Sequence, residues 1–339
     1  MSTTQTTPVT TGPSDPRPAA PRTSPVSGGP ARSGGRALVA FFVLAYALSW
    51  AWVIPLAVTH QVVDRGQGWP THYPALFGPA VAAFLVVAAT TGRRGIAELL
   101  RRVVLWRVGW RWWLVAFSPL AFLGIAVLGA WVSGLSLPRL ADFGLYSGVP
   151  AVGLLGFLLL IIVGAIVGAF GEEIGWRGFA LPRLQHRFSP LVASLILAAL
   201  WFAWHLPLFF VVATYRALGV VDYVGFFIGL SCGAIVLTWV YNRSGGSILL
   251  VALWHGVFNV VSGTQAATGV IAAVVSTLIM AQALLLVGLD LRARHRGQPS
   301  PLGATQRSRG RRGISPEPAK DEEQQAHNWS LSELPRRHG

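Results

Sequence analysis

The stretch Gly171-Glu172-Glu173-Ile174-Gly175-Trp176-Arg177 follows an almost wholly apolar run from Leu154 to Phe170. An apolar segment near 20 residues long is a candidate membrane helix. An ionisable side chain near the centre of a bilayer costs roughly 3 kcal/mol on insertion scales. Two carboxylates and an arginine at this place therefore need a reason. Glu173 and Arg177 are four residues apart, so on a helix they share a face and can pair. Glu172 points about 100° away from Glu173, which leaves it open to a different role, such as facing a cavity. Taken alone, the stretch fits a charge-paired helix end equally well.

Composition agrees with a membrane setting. Of 339 residues, 53% are hydrophobic and 12% are charged, against about 25% charged in a soluble domain. Mean hydropathy is +0.54. The net charge of +14 is carried by arginine, with one lysine, Lys320. It calls for no nucleic-acid partner. Positive charge beside spanning helices sets topology and attracts the heads of anionic membrane lipids. The single cysteine, Cys232, excludes a disulfide framework and a thiolate metal cluster.

Apolar segments fall roughly at residues 37–58, 72–91, 112–134, 152–180, 190–212, 223–241, 248–261 and 270–289. The expected fold is an all-α, polytopic membrane protein, a bundle of about eight transmembrane helices over residues 36–291. Polar tails at 1–35 and 292–339 cannot bury a core and are expected to be disordered. Arginines cluster at 93–111, 183–187 and 292–296, after the second, fourth and eighth spans. Loops on the other side carry few: Arg65, Arg139 and Arg216. That bias predicts a multi-pass protein of the cell membrane with both termini cytosolic. Residues 96–105 read as an interfacial helix. Trp106, Trp110, Trp112 and Trp113 read as an aromatic belt.

Other polar groups lie within the apolar segments. His205 stands in Trp201-Phe202-Ala203-Trp204-His205-Leu206-Pro207. His255 and Asn259 share a helix face in Leu253-Trp254-His255-Gly256-Val257-Phe258-Asn259. A lone membrane histidine is often a hydrogen-bonded core residue, and a His/Asn pair can serve as glue between helices. Together the groups carry more weight, because buried ionisable side chains in a membrane face the bundle interior and find one another. A Glu or His can take a proton from water. Two His and a Glu can hold a zinc-like metal with an open position. An Asn amide can donate to a developing oxyanion. One geometric strain stands out: His205 lies about 22 Å along a helix from Pro190, and His255 only about 10 Å from Ile248. The two meet only if the fifth span starts further out, or if a helix is tilted or broken.

Glu-Glu-x-x-x-Arg, aromatic-x-x-x-His and His-x-x-x-Asn on successive membrane helices resemble the CPBP family of intramembrane proteases, also called the CAAX-protease and bacteriocin-processing, or Abi, family. The resemblance covers about residues 37–290. The second motif of that family opens with Phe, and here the position is Trp201, which reads as a packing position. The resemblance implies a hydrolase that cleaves a peptide bond of a membrane-associated protein or peptide substrate, with the cavity open to the cytosol. It makes Glu172 the water-activating carboxylate, aided by His205. His255 and Asn259 would form the oxyanion pocket, and Glu173 with Arg177 the supporting pair. The family is often described as metalloproteases, so a divalent metal such as zinc is an open expectation, with Glu172, His205 and His255 as candidate ligands. There is no His-Glu-x-x-His motif. The alternatives are a non-catalytic membrane partner or regulator, a bacteriocin-immunity protein, and a transporter or proton relay. The last is disfavoured by the lack of internal repeats.

Overall fold

Helices form where the apolar segments lie, because a bilayer offers backbone N–H and C=O groups no partner but each other. The computed structural model describes residues 30–153, 155–156, 159 and 168–303. The helices are α1 Pro30–Val58, α2 Tyr73–Leu76, α3 Gly78–Val103, α4 Trp110–Ala116 and α5 Ser118–Val132. Then come α6 Phe170–Gly175, α7 Leu181–Gln185, α8 Pro190–His205, α9 Ala213–Arg216, α10 Val220–Arg243, α11 Ile248–Gly263 and α12 Gly269–His295. Among the described residues there is no strand. Three isolated bridges, Val63–Val212, Arg65–Ser147 and Gly66–Pro150, tie loops together.

Among the described residues, five helical stretches are long and apolar enough to cross a membrane, and six if the pair α4 and α5, bent by 50°, is one span. α11 is apolar but only 16 residues long. Much of the expected fourth span before Gly168 lies outside the described residues. The result is an all-α, polytopic, multi-pass membrane protein. Large apolar side chains such as Val39, Leu85, Ile125 and Leu284 stay exposed on the spans, as a lipid-facing surface requires.

Local chemistry sets the helix ends. Ser189 accepts a hydrogen bond from the Val192 N–H and Ser247 from that of Leu250, each an N-cap. α3 kinks at Gly92, where φ is 61°, a conformation that suits glycine. Beyond the kink, Glu98 pairs with Arg101 and Arg102, while Leu99 is buried. This is the amphipathic segment expected at 96–105. Of the four belt tryptophans, Trp106 and Trp110 are exposed, whereas Trp112 packs edge-on to Trp239 at 5.0 Å.

The fourth span departs from expectation. It does not end at residue 180, where the apolar segment 152–180 and the helix-breaking Pro182 beyond it place its stop. A π-turn at Trp176–Ala180 carries it into α7, where Pro182 lies in the first turn and its missing N–H is tolerated. The expected tails, 1–35 and 292–339, lie largely outside the described residues. The part that is described is ordered by contacts: α12 runs to His295, and the chain folds back to bury Leu302. Asn242 Nδ2 donates to the Leu302 carbonyl at 2.6 Å, and Ser300 bonds Asp290.

Candidate active site

Helix α6 is pressed against the end of α2 and the start of α3 by two glycines one turn apart. A Cβ on Gly171 would lie 2.6 Å from the Leu76 carbonyl oxygen, and one on Gly175 2.6 Å from Pro79. The close approach seats the carboxylates inside the bundle. Glu172 is 3% exposed, Glu173 and Arg177 are 0% exposed, His255 4% and His205 8%.

Glu173 is the centre of an ion-paired set. Its Oε1 accepts from Arg177 Nη1 at 2.7 Å and from His255 Nδ1 at 2.8 Å. The i,i+4 pair expected from sequence is thus present, extended across to α11. Placing the His255 proton on Nδ1 follows from this pairing, and it leaves Nε2 for another partner. The Arg177 guanidinium also sits over the Trp201 ring at 4.6 Å, a cation–π contact that helps a buried charge.

Glu172 is held separately. Its Oε2 accepts from Trp176 Nε1 at 3.3 Å and from Trp201 Nε1 at 2.6 Å. Its Oε1 accepts no hydrogen bond from the described residues. Glu173 and His255 lie within its electrostatic range. Trp201 is therefore more than the packing residue that the sequence suggested: its indole N–H, which the phenylalanine of the family motif would lack, orients Glu172.

Trp201 also links the two imidazoles. Its ring lies 5.2 Å from that of His255 and 5.7 Å from that of His205, and its carbonyl accepts from His205 Nδ1 at 2.7 Å. The strain in helix register resolves as follows. Ile248 packs at Gly178, where a Cβ would lie 2.7 Å from its Cδ1. Gly178 is itself about 10 Å inside Gln185 along the helix. So α11 starts deeper than α8, and its His255 reaches the level of Trp201. Asn259, one turn further along α11, is half-buried and forms no side-chain hydrogen bond among the described residues.

The structure adds residues that sequence reasoning missed. His72, at the loop end of α2, has a buried Nδ1 without a hydrogen-bond partner among the described residues, stacks on Tyr73 at 4.9 Å and lies within electrostatic range of His205. Tyr146, from a loop, and Tyr215, from the short helix α9, lie within electrostatic range of Glu172. Burial raises both phenols, that of Tyr215 to about 12, so both are neutral donors near pH 7. Nothing in local sequence marks these three, because the segments that connect distant spans bring them in.

Each imidazole gives its Nδ1 proton to a carboxylate or a carbonyl, the kind of outer contact that orients metal-binding histidines. Yet among the described residues no three His, Cys, Asp or Glu side chains come together as a metal-holding group. The candidates Glu172, His205 and His255 do not form such a set.

Residues 154–261 match the family model described as type II CAAX prenyl endopeptidase Rce1-like. The CAAX prenyl protease 2 of Methanococcus maripaludis is 34% identical over 107 residues, which is 30% of this chain and 37% of that protein. The chain thus aligns with little more than a third of that relative's length. All three motifs lie inside the family match, so the resemblance they carry is borne out: the segment that builds this site is similar to the Rce1-like CAAX prenyl endopeptidases.

Proposed function

We propose that this protein is an intramembrane endopeptidase that hydrolyses a peptide bond of a membrane-associated protein or peptide. One observation carries the reading: Trp201 gathers Glu172, His205 and His255, from three helices, at a single buried place. This is the segment that matches the CAAX endopeptidase family.

The chemistry follows from the free atoms. A water on Glu172 Oε1 gives its proton to that carboxylate as its oxygen attacks the scissile carbonyl carbon. Nε2 of His205 orients the water. Charge grows on the carbonyl oxygen, and the Asn259 amide, with Nε2–H of His255 when that ring is protonated, donates to it. Collapse breaks the C–N bond, and the leaving nitrogen takes the proton from Glu172. The products are a carboxylic acid and an amine. Glu173 and Arg177 act through His255 by fixing its tautomer and position.

The arginine bias supports an orientation with both termini in the cytosol. The activity is tested by comparing peptide termini of membrane proteins in cells carrying wild type or Glu172→Gln. Termini that vanish in the variant are expected; identical sets would overturn the proposal.

A further inference from the structure

The Arg-rich side of the bundle carries more than the charge that orients a membrane protein. Three elements meet there at the Tyr241 hydroxyl. Tyr241, near the end of α10, is only 5% exposed. Arg102, in the last turn of α3, donates from Nη1 to its oxygen at 2.7 Å. Arg183, in α7, lies within electrostatic range of both Arg102 and Tyr241. The packing beneath is close. A Cβ on Gly178 would lie 2.9 Å from Cδ1 of Leu99, in the turn before Arg102, and 2.7 Å from Cδ1 of Ile248. The contact that sets the depth of α11 therefore also holds the ends of α3 and α7 together.

The charges in this cluster do not balance. The carboxylate within electrostatic range of Tyr241 is Glu98, and it is shared between Arg101 and Arg102. Arg183 has no carboxylate partner among the described residues. Its Nη1 donates to the Phe179 carbonyl at 2.9 Å, and its guanidinium lies over the Phe179 ring at 3.5 Å. Like charges held near each other away from bulk water repel, so the arrangement is unfavourable until an anion joins it.

Donors for that anion are in place. A guanidinium carries five N–H groups. Arg102 commits Nε and Nη1, and Arg183 commits Nη1, which leaves Nη2 of each without a bond among the described residues. The Tyr241 hydroxyl accepts from Arg102 and, among the described residues, donates to nothing. Two guanidiniums and a phenol match the free oxygens of a phosphate.

The surroundings point to the source of that phosphate. Trp106, four residues after Arg102, is exposed, and so are Val104 and Phe188. Exposed tryptophan marks the headgroup level of a bilayer, and apolar side chains beside it suit acyl chains. The arginine bias supports placing this side at the cytosolic leaflet, where anionic lipids create a negative surface. We infer that Arg102, Arg183 and Tyr241 form a binding site for the phosphate of an anionic phospholipid head, which bridges the ends of α3, α7 and α10. The site is separate from the Glu172 cluster and does not depend on the peptidase reading.

The test follows thermal unfolding of the full-length, delipidated chain in detergent, titrated with dioleoylphosphatidylglycerol. Expected is a saturable rise in melting temperature. Dioleoylphosphatidylcholine, whose choline cation opposes the arginines, should give far less, and inorganic phosphate at the same concentration none. The apparent dissociation constant should rise by about 10-fold or more in Arg183→Gln, which removes a charged donor. It should rise by about 5-fold in Tyr241→Phe, which leaves the net charge unchanged. Arg111→Gln, which removes an exposed guanidinium resting on Trp110, should bind as the wild type does. Tyr241→Phe keeps the packing and decides alone should Arg183→Gln fail to fold. Wild-type affinity in Arg183→Gln or in Tyr241→Phe, or an equal loss in Arg111→Gln, overturns the inference in favour of plain surface charge. Equal protection by inorganic phosphate overturns the lipid as the source of the anion.

Discussion

The indole nitrogen of Trp201 lies 2.6 Å from Oε2 of Glu172, a short charge-assisted contact between a residue of α8 and one of α6. It fixes one carboxylate oxygen and leaves the other for water. Replacing Trp201 by Phe keeps a ring against His255 and under Arg177 but removes the donor. A hydrogen bond to a charged group is worth about 1.5–3 kcal/mol, so kcat should fall by about 10- to 100-fold. KM should change little and insertion not at all. An unchanged kcat, measured on any cleaved substrate, would return Trp201 to a packing role.

Breaking the pair beneath the site should cost stability, because a lone buried charge is left behind. Glu173→Gln or Arg177→Met alone should destabilise by about 3–5 kcal/mol. The double variant should lose less than the sum of the two. Thermal unfolding in detergent, run as a double-mutant cycle, checks this; simple additivity would mean that the two side chains are not coupled.

Asn259 offers the reverse separation. It forms no hydrogen bond among the described residues and is half-buried, so Asn259→Ala should unfold within about 0.5 kcal/mol of wild type. As an oxyanion donor its loss should lower kcat by about 100- to 1,000-fold. Stability and kcat measured on one preparation decide between this and a merely structural residue.

Helix approach can be tested through its glycines. A Cβ on Gly175 would fall 2.6 Å from Pro79, and overpacking of that kind costs about 1–3 kcal/mol. Gly124, in α5, has nothing within 4 Å of the same position. Gly124→Ala should therefore be neutral or stabilising by up to about 1 kcal/mol, while Gly175→Ala lowers the melting temperature and misplaces Glu172. Equal melting temperatures would contradict the close seating of α6.

What was legible in sequence was mostly local. Apolar runs gave the helices, and an i,i+4 spacing gave the pairing of Glu173 with Arg177, because both depend on residues a few positions apart. His205, His255 and Glu172 stood out because ionisable groups are scarce in lipid. Three things were hidden. The depth at which α11 begins depends on Gly178 and Ile248 meeting across the bundle. The donor role of Trp201 needs a carboxylate 29 residues away in the chain. His72, Tyr146 and Tyr215 arrive on connections between spans whose mutual bonds, such as Val63 N–H to the Val211 carbonyl at 2.9 Å, leave no periodic trace. Pro182 misled for a different reason: a helix can pass a proline once a π-turn has already changed its hydrogen-bond register.

The folded-back segment after α12 bears on how the molecule can be handled. Leu302 is fully enclosed, and its carbonyl holds Asn242, so the practical junction for an affinity tag or a fluorescent fusion lies past Gly303, not at the last turn of the helix. A fusion spliced at His295 would withdraw that plug from the end of α10 and strip Asp290 of its serine neighbour.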